Sequence, residues 1–200
     1  MFVKLSRIVT LMKKAYKTGG LRVANSESFY SLDGWGWAMQ IYREHAPKEL
    51  LGEIVKLTGR LPENDEQFLA KEEGNQQEIL YRKNDYLDIY RNALEAEADG
   101  KQLYRTQFLV VTPGGTAYLV FQEDDLDTHI MPADMATMMD KKYCTTNEEL
   151  FQPYIGLGNF YYRRSDHMAI AIRLYTPEKL EPAVSFLSGN DLIGMMEQEQ

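Results

Sequence analysis

Three times along this 200-residue chain, two runs rich in aromatic and β-branched residues are separated by only a few turn-forming residues. Asp33-Gly34 sits inside FYSLDGWGWAMQIY (29–42), and Pro113-Gly114-Gly115 joins QLYRTQFLVVT (102–112) to TAYLVFQ (116–122). Ser165-Asp166-His167 separates NFYYRR (159–164) from MAIAIRLY (168–175). Connections this short bring the chain back beside itself, so each pair reads as an antiparallel hairpin. Between the hairpins, apolar residues recur at helical spacing over 3–17 and 47–58, and an Ala-Glu run favours a helix over 85–98. The predicted class is α+β, a mainly antiparallel sheet built from hairpins with helices packed on it. A single domain over 1–200 is expected, any sub-domain boundary falling near 60–78 or 96–101.

A type I′ turn at Asp33-Gly34 sets Leu32 opposite Trp35 and Tyr30 opposite Trp37. Tyr30, Leu32, Trp35, Trp37, Met39 and Ile41 then share one face, too apolar to leave in water and expected to be buried under helices. The small residues behind it, Gly36 and Ala38 among them, leave room for another segment to approach. The second hairpin is apolar on both faces near its turn, the pattern of strands central to a sheet. Short strands are predicted at 67–71 and 77–82. A helix is predicted from Pro132 to about Lys141, and another over TPEKLEPAVSFL, interrupted near Pro182.

Charge is unevenly placed. The first 22 residues hold six basic side chains and no acid, leaving 16 basic against 30 acidic groups in the rest of a chain whose net charge is −8. The basic face of the first helix, with Lys13, Lys14 and Lys17, is therefore a candidate contact for a partner. No run has the length of a membrane span or the pattern of a secretory signal, so no membrane association and a cytoplasmic location are expected. One cysteine, Cys144, rules out an internal disulfide framework and a Cys-rich zinc site.

AYKTGGLRVAN (15–25), WGWAMQI (35–41) and ELLGEIVKLTGRLPENDE (49–66) together resemble uncharacterised hypothetical proteins carried on conjugative elements and phages of Gram-positive bacteria. The likeness covers about residues 11–66. It implies an accessory protein of a mobile genetic element and assigns no activity or site residue.

Chemistry-bearing residues are sparse. His45, His129 and His167 are not paired at helical spacing, which removes the two-histidine zinc arrangement. EDDLDTHIMPAD (123–134) supplies Asp125, Asp127 and His129 as candidate metal ligands, without the spacing or central glycine of a calcium loop. Cys144 becomes a nucleophile only if a histidine approaches it in space. FYYRR places Tyr161, Tyr162, Arg163 and Arg164 on one strand, and exposed aromatics beside arginines stack bases or anchor a protein partner.

The sequence is read first as a non-catalytic protein-interaction module without a cofactor, its candidate surfaces being Tyr161–Arg164 and the basic face of helix one. Nucleic acid is the less favoured partner, given the acidic body. The alternatives are a metal-assisted or thiol-dependent hydrolase centred on Asp127, His129 and Cys144, an acidic DNA mimic, and a scaffold that oligomerises through a sheet edge. Convergence separates the classes: an enzyme needs at least two of His129, His167, Cys144 and the acids of 123–127 in one concave pocket, whereas a binding module leaves them scattered and its exposed aromatics contiguous.

Overall fold

The computed structural model describes residues 1–72, 77–79, 88–137, 139, 150–156 and 158–194. The elements run α1 (Leu5–Thr18), β1 (Leu21–Asn25), β2 (Phe29–Gly34), β3 (Trp37–Tyr42), α2 (Lys48–Thr58), β4 (Glu66–Ala70), β5 (Gln77–Ile79) and α3 (Ile89–Asp99). They continue β6 (Tyr104–Val111), β7 (Ala117–Gln122), β8 (Thr128–Pro132), α4 (Ala133–Thr137), β9 (Tyr154–Gly156), β10 (Phe160–Arg164), β11 (Met168–Arg173) and α5 (Glu181–Leu187). The fold is α+β, with two sheets in which every named pairing is antiparallel. One has eight strands in the order β5-β4-β1-β2-β3-β11-β10-β9, the other three in the order β6-β7-β8.

Local chemistry explains the helix ends. Asp88 accepts a hydrogen bond from the Arg91 N–H at 3.1 Å and so caps α3. Gly59 and Gly100 close α2 and α3 in the left-handed region, where a side chain is disfavoured. The helix expected over TPEKLEPAVSFL is broken near Pro182 as predicted, a 3₁₀ turn over Glu178–Leu180 giving way to α5 at Glu181. Pro182 lies in the first turn of α5, where its missing N–H has no intrahelical partner to lose.

The large sheet is covered on both faces. On one side, α1 packs on β1 and β2, and the small sheet supplies Leu119, Phe121 and Met131 to the same apolar cluster as Trp37, Met39, Tyr161 and Ile170. Phe121 meets Tyr161 edge-on at 5.5 Å between ring centres. On the other side, Ala38, Ala169 and Ala171 form a floor of small residues for Ile89, Ala93 and Ala96 of α3. The expected close approach behind the tryptophan strand is made by this helix. α5 packs Val184 and Leu187 on the outer face of the small sheet, against Val120 and Ile130.

The first hairpin turns two residues later than expected. Gly34 pairs with Trp37, Leu32 with Met39 and Tyr30 with Ile41, so the turn residues are Trp35 and Gly36. Gly36 alone carries positive φ, +79°, so the turn is not type I′. Gly34 is needed in the strand because a Cβ there would lie 2.6 Å from Trp37 Nε1 and 2.8 Å from Ala15 Cβ. Moving the turn by two residues keeps every other side chain on its predicted face, since the strand period is two. Trp37 is consequently buried at 3% exposure, whereas Trp35 stands out at 83%.

β6 departs from expectation as well: it is an edge strand, and only β7 is central in its sheet. Between the pairs Arg105–Phe121 and Leu109–Leu119, three residues of β6 face one of β7. The buried Thr106 hydroxyl bridges this bulge, donating to the Val120 carbonyl at 3.0 Å and accepting from the Phe108 N–H at 3.2 Å. Thr106→Val keeps the shape and strands both backbone groups, so a loss of about 1–3 kcal/mol is expected in urea unfolding.

Between α2 and β4, Arg60 grips Glu66 through two hydrogen bonds at 2.5 and 2.6 Å, and the Glu63 N–H adds a third at 2.6 Å. The Arg60 hydrogen bonds, opposed by desolvation, hold the Glu66 carboxyl below its ordinary range. A carboxyl lowered on folding contributes stability above its unfolded pKa and loses it as pH falls through the folded value. Acid-unfolding curves of Glu66→Gln are therefore expected to be flatter than wild type below the unfolded pKa of about 4.3.

Candidate functional site

At one end of the sheets, β8 faces the β9–β10 turn and the exit of β11. A cleft of about 260 Å³ opens there, lined by His129 and Ile130 from β8, Gly158 and Asn159 from the turn, and Arg173 to Thr176 from the exit. The Gly36 carbonyl accepts a hydrogen bond from the Arg173 N–H at 2.9 Å, which fixes the Trp35 turn beside the cleft. Tyr175 is 59% exposed, and the exposed Arg173 has no side-chain partner among the described residues. Three residue types that dominate protein hot spots thus gather at one strand end.

Behind His129 lies a buried charge. Glu123, at 4% exposure, contacts His129 Nε2 through Oε1 at 2.6 Å and Lys101 Nζ through Oε2 at 3.4 Å. The contact with Glu123 holds the imidazole ring in one orientation. The coulombic pull of Glu123 is the first cause that raises the Lys101 pKa, followed by the hydrogen bond between them. The turn is braced by the fully buried Gln122, whose amide donates to the Asn190 carbonyl at 2.8 Å and whose carbonyl accepts from the Leu192 N–H at 3.0 Å.

Carboxylate oxygens of Glu123, Asp125 and Asp127 lie within 4.8 Å of one another, enough to offer three ligands to a divalent cation. Of the predicted set, Asp125 and Asp127 belong to this group, while His129 is turned to Glu123. His129 and His167 do not converge. His167 stacks on His45 with ring centres 3.7 Å apart, near Met168 at the start of β11, and the cleft lies near Arg173 at its end. Five strand steps separate these ends, or ~17 Å. Cys144 falls outside the described residues.

The surface expected at Tyr161–Arg164 is not a surface. β10 lies inside the large sheet between β11 and β9, with Tyr161 and Tyr162 exposed by only 2% and 4%. Burial raises the pKa of both phenols, against the opposing pull of Arg163 on Tyr161 and of an Asn92 hydrogen bond on Tyr162. Arg164 pairs with Glu97 at 2.6 Å and lies over the Phe151 ring at 3.9 Å, and Arg163 donates to the Phe151 carbonyl. Alternation on an internal strand buries both tyrosines, one under each covering layer. Lys13, Lys14 and Lys17 of α1 are exposed as predicted. Sequence reasoning missed Arg173, Tyr175 and Asn159, whose only early signal was their place at strand ends.

No family model matches the sequence, and no curated protein matches it. Solved structures that resemble the fold include a putative DNA polymerase III beta subunit from Eubacterium rectale, at TM-score 0.39 and 13% identity over 94% of this chain and 67% of that one. Others are the DNA polymerase III beta chain of Streptococcus pneumoniae, at 0.35 and 10%, and a sliding clamp from Bartonella birtlesii, at 0.35 and 12%, each over 94% of this chain and 66% of its own length. The chain thus spans about two thirds of these proteins. Likeness at this level carries no inference about what the chain binds. Among the described residues, no helix is long and apolar enough to cross a membrane.

Proposed function

We propose that the chain is a non-catalytic protein-interaction module whose partner docks on the Trp35, Arg173 and Tyr175 end of the large sheet. The carrying observation is Trp35 itself. A tryptophan 83% exposed on a two-residue turn does nothing for the core, and large apolar side chains held in water beside a cleft mark contact sites. Arg173, without a carboxylate partner among the described residues, suits a partner that brings an acidic group to the same place. Exposed Lys13, Lys14 and Lys17 give α1 the charge for a second, salt-sensitive contact with an acidic partner. An accessory role on a mobile element belongs to this reading through the resemblance of residues 11–66 alone.

Selection from a random displayed peptide library tests it. Peptides enriched on the wild-type protein are expected to bind Trp35→Ala/Tyr175→Ala at least about tenfold more weakly. Peptides indifferent to that double variant, or none at all, would sink the reading.

A hydrolytic second reading draws on the His129–Glu123 pair at the cleft, since a carboxylate-oriented imidazole is the usual form of a general base. Among the described residues His129 hydrogen-bonds only Glu123, so this reading still lacks an adjacent nucleophile. Ester hydrolysis by the wild type that disappears in His129→Gln would favour it over the interaction module.

A further inference from the structure

The β6–β7 hairpin has the composition of one environment and the position of another. Residues 106–122 contain no charged side chain, the longest such stretch in a chain where 26% of residues are charged. β6 is apolar on both faces near its turn, as strands buried on both faces are, yet it is the terminal strand of its sheet. Leu109 and Val111 are 56% and 59% exposed. Natural edge strands of this length are usually blunted by lysine, proline or a bulge. Here the bulge at Thr106–Phe108 protects only the first half, and the second half is left open.

The backbone shows which groups are open. The Thr112 N–H donates inward to the Thr116 carbonyl at 2.9 Å, so by antiparallel alternation Val110 also points toward β7. Leu109 and Val111 then direct their N–H and C=O groups outward, where no described residue meets them.

We propose that β6 pairs antiparallel with β6 of a second copy of this chain, about a two-fold axis at Val110. Each Leu109 then exchanges both backbone hydrogen bonds with the other copy's Val111, and their exposed side chains become cross-strand neighbours. Three strands from each copy join into one continuous sheet. The open edge is complementary to itself, each open Leu109 facing an open Val111 about Val110, and charge permits the approach of a second copy here. Two molecules of net charge −8 repel over most of their surfaces, and this uncharged hairpin is where they approach without opposing like charges. The inference is independent of the docking surface at Trp35.

Sedimentation velocity across a wide concentration range reads the association. The wild type is expected to shift from monomer to dimer, and Leu109→Lys and Val111→Pro to weaken the dimer at least about tenfold. Both changes sit on solvent-facing positions, and the Val111 N–H is not part of the internal ladder, so unchanged circular dichroism is expected to show both variants folded. Register is read by disulfide formation in a Cys144→Ser background. Leu109→Cys mixed with Val111→Cys is expected to cross-link, because such partners lie about 5.5 Å apart between Cα atoms. Neither variant alone is expected to do so. A monomer at every concentration overturns the proposal and leaves the edge for a strand of another protein. A dimer that persists in both variants, or cross-links from either cysteine alone, overturns it too.

Discussion

Trp37→Ala is expected to lower stability by about 3–5 kcal/mol, a large part of the roughly 5–15 kcal/mol a domain possesses. The indole is 3% exposed and packs in the cluster that joins α1, the large sheet and the small sheet, so its removal opens a cavity where three elements meet. Trp35→Ala, one turn residue away, removes no core contact and is expected to leave the urea midpoint nearly unchanged. Acrylamide quenching separates the pair without unfolding anything. Wild-type emission is expected to divide into a readily quenched fraction from Trp35 and a protected one from Trp37. In Trp35→Ala only the protected fraction remains. Equal midpoints for the two variants would mean that the turn does not fall at Trp35-Gly36.

The second large effect is expected on the opposite face of the same sheet. Ala38, Ala169 and Ala171 are exposed by 1% or less, and α3 meets them with alanines of its own, Ala93 and Ala96. Close approach of helix and sheet depends on nothing larger standing there. Ala171→Leu pushes three further carbons into filled space and is expected to cost about 1–3 kcal/mol, detaching α3 before the rest. Hydrogen exchange reads this directly, through lost protection in residues 89–99 ahead of β3 and β11. Gly156 obeys the same constraint, since a Cβ there would lie 2.8 Å from Tyr162 and 2.9 Å from Ala96. An Ala171→Leu protein with unchanged exchange in α3 would show that the helix floats above the sheet.

The candidate site was less legible than the fold, for reasons seen in particular residues. Tyr161 to Arg164 looked like a docking strand because aromatics and arginines alternate there. The same alternation serves an internal strand whose two faces are both covered, and only its neighbours β9 and β11 tell the cases apart. Thr128 to Pro132 runs from the acids of 123–127 into the start of the helix predicted from Pro132. Four residues between a run of acids and a proline carry no periodicity that identifies a strand, yet β8 supplies His129 to the cleft. Glu123 passed as one acid among several. It is buried because it begins the turn facing Lys101 and His129, a contact no spacing announces.

What the sequence by itself determined is the class of object and the inner face of most elements. Short turns between β-rich runs required antiparallel hairpins, and periods of two and of about 3.6 assigned each side chain to one face. These signals are local, so they survive without knowledge of the rest of the chain. The tertiary structure decided what local periodicity cannot distinguish. A turn moved by two residues preserves every face, so the pattern could not choose between Asp33-Gly34 and Trp35-Gly36, and with that choice went the exposure of Trp35. The pairing of β3 with β11, which sets Met39 against Ile170, joins segments far apart in sequence and made β11 internal, as the pairing with β9 did for β10. It also left β6 at an edge, because strand order depends on which faces fit together across the whole core rather than on the composition of any one strand.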